Sequence, residues 1–238
     1  MTSLGLVVQG RERHSLIDVG PYAVQGLKNL GLTPDDIGLI FASHDHADHC
    51  GGVPAFIMTW LLGSASRPEK VDWAVPHERL AMLDYARSGY PILFAGSGPR
   101  RIDVVTSDVT LGETSYEWLK LEHAVETWGA RVTQGPVSLA YIPDTAAAGL
   151  APHQSRLTGI DAVVLSVWGP SSKAEDAQRF KFPVASEVGE LAAQWGVKRI
   201  FVQHLADPSD YHMVQREIAS SFDGEVIFPE VGEWIDLS

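Results

Sequence analysis

The sequence predicts an α/β protein, chiefly from the order of its hydrophobic segments. Short apolar strands alternate with segments whose apolar residues recur at helical spacing. Four predicted strands also end at a side chain that can bind a metal, namely His44, His123, Asp144 and His204. Because α/β folds place their chemistry at the carboxyl ends of strands, this recurrence indicates that the four side chains converge on one site.

The first part of the chain is predicted to alternate between strands and helices. A buried strand runs directly into a stretch rich in histidine, and an apolar helix follows that stretch. The segment Ser88–Pro99 is rich in glycine, proline and serine and is predicted to be a loop. The predicted strands are Leu4–Gln9, Ser15–Asp18, Ile37–Ala42 and Val71–Val75, and the predicted helices are Tyr22–Leu30, Val53–Leu62 and Pro76–Arg87.

The second part is richer in strands. A hairpin is predicted around Gly135-Pro136, and Gly196 is predicted to end a helix. The predicted strands are Ile102–Val105, Ser115–Glu122, Arg131–Gln134, Val137–Ile142, Ala162–Val167, Arg199–Val202, Glu225–Phe228 and Glu233–Asp236, and the helices are Pro183–Trp195 and Tyr211–Phe222. No repeat, low-complexity tract or linker interrupts the pattern, so we predict a single domain over residues 1–238.

The net charge and the composition exclude some classes of function for this protein. The formal charge is −12 and the 18 lysines and arginines are scattered, whereas nucleic-acid binders usually carry a basic face. We therefore expect a small-molecule substrate and no nucleic acid. No apolar run reaches about 18 residues and no signal peptide is recognisable, so we expect no membrane span. The single cysteine, Cys50, fits a cytoplasmic protein.

The stretch from Ser43 to Gly52 is the strongest chemical signal. It holds three histidines and two aspartates within six residues, and imidazole with carboxylate suits zinc, iron, manganese or nickel. In an extended chain His44 and His46 face the same side and can share an ion. A turn into a helix would point Asp48 and His49 toward a second ion. A polar loop with solvated histidines is the alternative interpretation.

The segment His44-Asp45-His46-Ala47-Asp48-His49 resembles the H-x-H-x-D-H signature of the metallo-β-lactamase superfamily. The later markers of that superfamily are matched by His123, Asp144 and His204. The resemblance implies an αββα four-layer sandwich with metals at one edge of its two sheets. Members commonly begin one strand earlier, so the usual first strand is expected to be missing, replaced or outside this sequence.

Within this superfamily, the sequence is most similar to the ribonuclease Z-like, phosphodiesterase-like branch. The segment His123–Arg131 resembles its pattern of a histidine followed six residues later by glycine and a strand, and Tyr141–Thr145 is similar to its strand-G-D-T. Three positions depart from ribonuclease Z: Ser166 and Trp168 replace a His-Glu pair, and Phe182 replaces a further histidine. With the missing basic arm and the negative charge, these departures argue against transfer-RNA processing.

The resemblance also implies a ligand set for two divalent ions, expected to be zinc, with manganese, iron or nickel open. The expected ligands are His44, His46 and His123 for the first ion, Asp48, His49 and His204 for the second, and Asp144 bridging both. A hydroxide shared by the ions would be the nucleophile of a dinuclear hydrolase, phosphodiesterase-like and acting on a small substrate. Asp48 is also expected to transfer protons, and His153 is a candidate donor to the leaving group.

Other functions stay open at this point. The same site could hydrolyse a carboxylic ester or a lactone. An iron redox enzyme is disfavoured because 238 residues leave no room for a flavin domain, and a non-catalytic scaffold is disfavoured because all seven ligands are present. By analogy with the superfamily we expect a homodimer.

Several residues are expected to support the ligands. Asp18 is predicted to accept a hydrogen bond from the histidine motif, and Asp45 to turn away from the ions and hold the loop. Cys50 is predicted to be a small buried residue without a chemical role. Trp128 and Trp168 each follow the end of a strand near a proposed site loop, where an aromatic wall would suit a flat substrate group.

Overall fold

The computed structural model describes residues 5–63, 70–76, 80–95 and 100–237. The chain divides into two compact units, the first formed by Met1–Ser115 with Val231–Trp234 and the second by Tyr116–Glu230 with Ile235–Ser238. Two mixed sheets and their helices confirm the predicted α/β class. Within the described ranges, no helix combines the length and the apolar character needed to cross a membrane.

The first unit is built on a five-stranded sheet with the order β1-β2-β3-β4-β5. Strands β1 and β2 are antiparallel, and the remaining neighbours are parallel. The strands are β1 (Leu6–Val8), β2 (His14–Ile17), β3 (Ile37–Phe41), β4 (Lys70–Ala74) and β5 (Arg101–Val105). The helices are α1 (Ala23–Asn29), α2 (Ala47–Cys50), α3 (Val53–Leu62), α4 (Ala81–Gly89) and α5 (Pro91–Phe94), and Pro34–Asp36 forms a 3-10 turn.

Strand β3 positions the histidine stretch. All five of its residues are apolar or glycine and all are buried, which is the pattern of a central parallel strand. The turn that precedes it is capped at Thr33, whose amide donates to the Asp36 carboxylate over 2.8 Å. On the far side of the stretch, Gly52 begins α3 where a Cβ atom would clash with the Gly20 carbonyl oxygen, so only glycine allows this approach.

The second sheet has seven strands in the order β12-β11-β10-β9-β8-β7-β6. They are β6 (Val109–Leu111), β7 (Thr114–Leu121), β8 (Thr127–Gln134), β9 (Val137–Ile142), β10 (Ala162–Val167), β11 (Arg199–Leu205) and β12 (Glu225–Ile227). From β9 to β12 all neighbours are parallel, whereas β8 and β9 are antiparallel. The helices are α6 (Gln154–Leu157), α7 (Ala174–Phe180), α8 (Ala185–Trp195) and α9 (Tyr211–Ala219), and Ala147–His153, Ser171–Lys173 and Pro208–Asp210 are 3-10 turns.

The core of the second unit lies between its parallel strands and helices α8 and α9. Strand β10 is buried at every position, and Trp195 and Ile218 from the two helices are buried with it in one cluster. Helix α8 begins where the Val184 amide donates to the Glu187 carboxylate, and it ends at Gly196 in the left-handed conformation. These parallel strands bring their carboxyl ends to one edge of the sheet.

Some sequence expectations were wrong. The predicted loop Ser88–Pro99 contains the end of α4 and all of α5, and its residues 96–99 lie outside the described residues. The predicted strand Glu233–Asp236 is irregular, and Trp234 there packs edge-on against the His14 ring. Strand β11 extends to Leu205, so His204 lies within the strand.

Two predicted elements that extend into residues outside the described ranges have different boundaries in the structure. The predicted strand Leu4–Gln9 is β1, and Leu4 lies outside the described residues. The predicted helix Pro76–Arg87 corresponds to α4, which begins at Ala81, while residues 77–79 fall outside the described ranges. Helix α7 and strand β6 were not predicted at all.

Candidate metal-binding residues

The first unit carries four of the predicted ligands on the loop after β3 and on α2. The backbone of His46 is extended, and the chain turns into α2 at Ala47, as the spacing predicts. Ligand atoms of His44 and His46 lie within 4.8 Å of each other, and so do those of Asp48 and His49. The backbone therefore sorts the four side chains into two pairs.

A buried carboxylate, Asp18, organises this loop. Its Oδ1 accepts from the Ser43 amide and its Oδ2 from the Ser43 hydroxyl, each over 2.8 Å. The Nδ1 atom of His49 lies 2.7 Å from Oδ2. Since the Ser43 hydroxyl donates to Asp18, it accepts from Nδ1 of His44 at 3.0 Å. Both imidazoles thus have Nδ1 engaged by an oxygen, which leaves Nε2 as the ligand atom.

The backbone of Asp18 has the left-handed φ of 59°. Such a conformation is costly for a residue with a side chain, although aspartate tolerates it better than most. It is held by the Asp18 amide, which donates to the Phe41 carbonyl oxygen over 2.8 Å. The predicted contact between Asp18 and the histidine motif is therefore present, and it is fixed from both the backbone and the side chain.

Asp45 holds the loop and Cys50 is buried, as the sequence predicts. Asp45 accepts a hydrogen bond of 2.6 Å from the Ala81 amide at the start of α4, so its carboxylate holds the loop to that helix. Cys50 is buried, and its Sγ lies 3.1 Å from the His46 carbonyl oxygen. Burial, and then the negative charge of Asp45, raises the pKa of the Cys50 thiol to about 12. A thiol that stays protonated is a poor ligand and nucleophile.

The second unit carries the other three predicted ligands. His123 follows β7, Asp144 follows β9 and His204 lies in β11. The carboxylate of Asp144 faces both histidines, with Oδ1 at 3.3 Å from Nδ1 of His204 and Oδ2 at 3.7 Å from Nε2 of His123. Each oxygen of this carboxylate therefore lies beside a different imidazole.

Phe182 packs directly against this group. Its ring meets the His123 ring edge-on at 5.4 Å between centroids and the His204 ring at 5.3 Å. Trp168 packs against Phe182 at 5.2 Å. Two of the three departures from the ribonuclease Z pattern, Trp168 and Phe182, therefore form one apolar contact surface beside the histidines.

His153, the predicted proton donor, is engaged elsewhere. Its Nε2 lies 2.6 Å from the Lys120 carbonyl oxygen in β7, so it donates there and ties the turn to the strand. Trp128 lies under the Lys120 ammonium, 5.5 Å from the ring centroid, in a cation–π contact. These contacts favour structural roles for both side chains.

The donor set fits a divalent metal. Imidazoles whose second nitrogen is held by an oxygen, combined with carboxylates, are typical of sites for zinc and related ions. His44 and His49 satisfy this condition in the first unit.

The sequence is similar to one family model and to several known proteins. Residues 3–78 match the family described as Anti-Pycsar protein Apyc1. Ribonuclease Z from Thermobifida fusca is 24% identical over an alignment of 267 residues that covers 90% of this chain and 83% of the relative. The uncharacterized protein Rv1339 of Mycobacterium tuberculosis is 28% identical over 197 residues, covering 79% of this chain and 68% of the relative.

Solved structures agree with the fold. The metallo-β-lactamase fold protein YhfI from Bacillus subtilis has a TM-score of 0.78 at 17% identity and covers 98% of this chain and 90% of its own. The short form of human tRNase Z has a TM-score of 0.75 at 15% identity, covering 99% and 93%. A diphosphatase from the PhnP family has a TM-score of 0.65 at 16% identity, covering 86% and 73%. These likenesses confirm the predicted metallo-β-lactamase fold.

Proposed function

We propose that the chain is a ribonuclease Z-like hydrolase of the metallo-β-lactamase superfamily and that it hydrolyses a small phosphodiester with the help of two divalent ions. The observation that carries the proposal is the set of hydrogen bonds around Asp18. These bonds engage Nδ1 of His44, through Ser43, and Nδ1 of His49, so Nε2 is the ligand atom of each ring. The PhnP-family diphosphatase among the structural neighbours supports phosphorus chemistry.

We propose that both units belong to one catalytic domain over residues 1–238 and contribute ligands to one dinuclear centre. The proposed ligands are His44, His46 and His123 for one ion, Asp48, His49 and His204 for the other, and Asp144 between them. When bound, the ions, expected to be zinc, would activate water and neutralise the phosphate charge. Asp144 would hold its two oxygens toward different histidines, as it does in the second unit.

Proton transfer is assigned to Asp48. Its carboxylate is half-buried in the first turn of α2, with Oδ2 at 3.9 Å from Nε2 of His49, so it reaches both solvent and the ligand group. His153 stays the second candidate from the sequence. Because its Nε2 already donates to Lys120, we expect replacing His153 to matter less than replacing Asp48.

Metal stoichiometry tests the ligand set. Wild-type protein saturated with zinc is expected to hold two ions per chain by elemental analysis. H49A from the first unit and H204A from the second are each expected to hold fewer. H212A, which removes an exposed histidine of α9, is the matched control and should still hold two. Two ions in H204A would contradict the assignment.

An activity panel tests the reaction class. We expect turnover of bis-p-nitrophenyl phosphate to exceed that of p-nitrophenyl acetate, and turnover of the acetate alone would contradict the proposal. Several relatives are named ribonuclease Z, so RNA is the second candidate substrate, contrary to the expectation of no nucleic acid. Precursor transfer RNA belongs in the panel, and a higher kcat/KM on it than on small phosphodiesters would move the assignment to RNA. A cytoplasmic location and a homodimer remain predictions.

A further inference from the structure

The Ser43 hydroxyl lies between two proposed ligands of the first unit. Its Oγ is 3.0 Å from Nδ1 of His44 and 3.5 Å from Nδ1 of His49, and it donates to Oδ2 of Asp18 over 2.8 Å. All four side chains are buried. His44 is proposed to bind one ion and His49 the other. A single hydroxyl group therefore contacts a proposed ligand of each ion.

The hydrogen bonds in this group run in fixed directions. A carboxylate only accepts, and a serine hydroxyl has one proton to donate. The Ser43 proton goes to Oδ2 of Asp18, so Oγ is left as the acceptor for the Nδ1 proton of His44. The same Oδ2 lies 2.7 Å from Nδ1 of His49, which donates to it. One carboxylate oxygen thus joins both imidazoles, His49 directly and His44 through Ser43.

The two imidazole rings also touch. The ring centroids of His44 and His49 are 4.1 Å apart, and the ring planes are tilted by 48°. The His46 ring lies 4.7 Å from that of His44, at an angle of 75°. Because a close-packed interior leaves little room for one ring to turn alone, the orientation of His44 depends on that of His49.

This arrangement connects the binding of the two proposed ions. An ion on His44 fixes that ring, and the ring orders Ser43 and Asp18. Because all three of these side chains contact His49, the second ion meets a ligand whose conformational freedom is already lost, and it binds more tightly than it would alone. Repulsion between two dications acts in the opposite sense, and the negative charges of Asp18 and Asp48 reduce it.

We infer that Ser43 is a positioning residue that couples the two proposed ions, so that binding of one zinc ion raises the affinity for the other about tenfold. The inference rests on the proposed two-ion function, and it adds how the site fills. Most chains hold two ions or none, and chains with a single ion are the minor species. Activity at limiting zinc then follows the number of fully loaded chains.

Native mass spectrometry of the full chain tests the coupling without measuring activity. Zinc is added to the metal-free protein until an average of one ion is bound per chain. Two independent sites, whatever their separate affinities, leave about half of the chains or more with a single ion at this point. A tenfold coupling lowers that fraction to about one quarter, which is the result expected for wild type.

Two substitutions test the role of the hydroxyl. S43A should raise the fraction of chains with a single ion to about half or more. This substitution removes the hydroxyl, but it keeps the Ser43 amide bond to Asp18 and the contact of Asp18 with His49. S43T retains a hydroxyl and should stay at about one quarter.

The matched control is S138A. The amide and the hydroxyl of Ser138 donate to one carboxylate, that of Asp161, over 2.9 and 3.3 Å, as those of Ser43 donate to Asp18. Ser138 lies at the start of β9, whereas the proposed ligand Asp144 follows the end of that strand. S138A should therefore keep the single-ion fraction of wild type. A rise equal to that in S43A would contradict the role of Ser43, since it would trace the lost coupling to a looser fold.

A failure of the coupling and a failure of the proposed function give different results. A wild type that takes up two ions but leaves half or more of its chains with a single ion would overturn this inference, and the proposed function would stand. An S43A protein with the wild-type distribution would show that Ser43 does not couple the ions. A wild type that binds fewer than two zinc ions at saturation would overturn the proposed two-ion function, and the inference with it.

Discussion

At the scale of single residues, Asp18 has the largest influence on the candidate site. Its carboxylate contacts Ser43 through two hydrogen bonds and His49 through one, and Ser43 passes the constraint to His44. One aspartate thereby sets the ring orientation of two proposed ligands. Orientation of this kind raises metal affinity because the ligand atoms need not be ordered when the ion binds.

We expect D18N to weaken zinc binding about 10–100-fold. Asparagine keeps the shape and one acceptor oxygen, but it loses the charge and presents an NH2 group to a donor. Competition with a chromophoric chelator measures the affinity. The matched control is D84N, which alters an exposed aspartate of α4 and should keep wild-type affinity. Equal affinities in D18N and wild type would show that Asp18 does not orient the ligands.

Residue identities were predictable wherever chemistry and spacing coincide. The histidine stretch, and the acidic partner at Asp18, follow from the order of residue types and the ends of the strands. The contacts of Phe182 do not, because a ring contact with two histidines leaves no mark on hydrophobic periodicity.

At the scale of elements, Asp161 joins three neighbouring strands at their amino ends. Its carboxylate accepts from the Ser138 amide in β9 over 2.9 Å, and from the ammonium of Lys198, which directly precedes β11, over 2.7 Å. The Lys198 hydrogen bond, and then the Ser138 amide, holds the pKa of Asp161 below its usual value. The pair is partly exposed, so its contribution is reduced by solvent.

The lowered pKa of Asp161 predicts a pH-dependent effect of D161N. A group whose pKa is lower in the folded state stabilises the protein above its unfolded pKa of about 3.9 and loses that contribution as the pH falls through the folded value. D161N should therefore lower the free energy of unfolding at neutral pH, and the difference from wild type should shrink as the pH falls. Urea titrations across the acid range measure it. A difference independent of pH would exclude this ionic contribution.

Helices α8 and α9 meet at Gly189. A Cβ atom there would lie 2.7 Å from the Ile218 carbonyl oxygen and would also clash with the Ser221 hydroxyl. Because backbone cannot yield as a side-chain tip can, we expect G189A to lower the free energy of unfolding by about 1–3 kcal/mol. G26A is the control, since a Cβ at Gly26 in α1 meets nothing within 4 Å. A G189A protein as stable as wild type would show that the helices can separate without cost.

Elements were predictable in proportion to their apolar content. Buried strands such as β3 and β10 were found because their sequences are nearly uninterrupted apolar runs. Helix α7 was missed because Ala177 is its only buried residue among seven, which leaves no apolar stripe to detect. The terminal segment Glu233–Asp236 alternates like a strand, yet Trp234 packs against His14 and no ladder forms.

At the scale of the whole molecule, the proposed ligands are divided between the two units, four in the first and three in the second. A metal that binds these residues only in the folded chain adds to the stability of that chain. A ligand at a hundredfold excess over its Kd adds about 2.7 kcal/mol to the free energy of unfolding. We therefore expect zinc to raise the Tm of the full chain by several degrees and EDTA to reverse the change.

Differential scanning calorimetry with and without zinc makes this measurement, and the control is H49A, in which zinc should have a smaller effect. A Tm that is insensitive to zinc in wild type would contradict the proposed metal binding. The fold class was predictable at this scale because the alternation of strands and helices is a property of the whole sequence. The division of the chain into two compact units was not, since no linker or change in composition marks the boundary near residue 115.

The hydrogen bond from the Ala81 amide to Asp45 gives the metal-binding loop a spectroscopic reporter. Asp45 stands between His44 and His46, so any rearrangement of that loop alters the acceptor of one identifiable amide proton at the start of α4. In amide hydrogen exchange, that proton is protected only while the loop keeps its conformation. The exchange rate of a single backbone position outside the ligand set would thus follow the ordering of the site as metal is added.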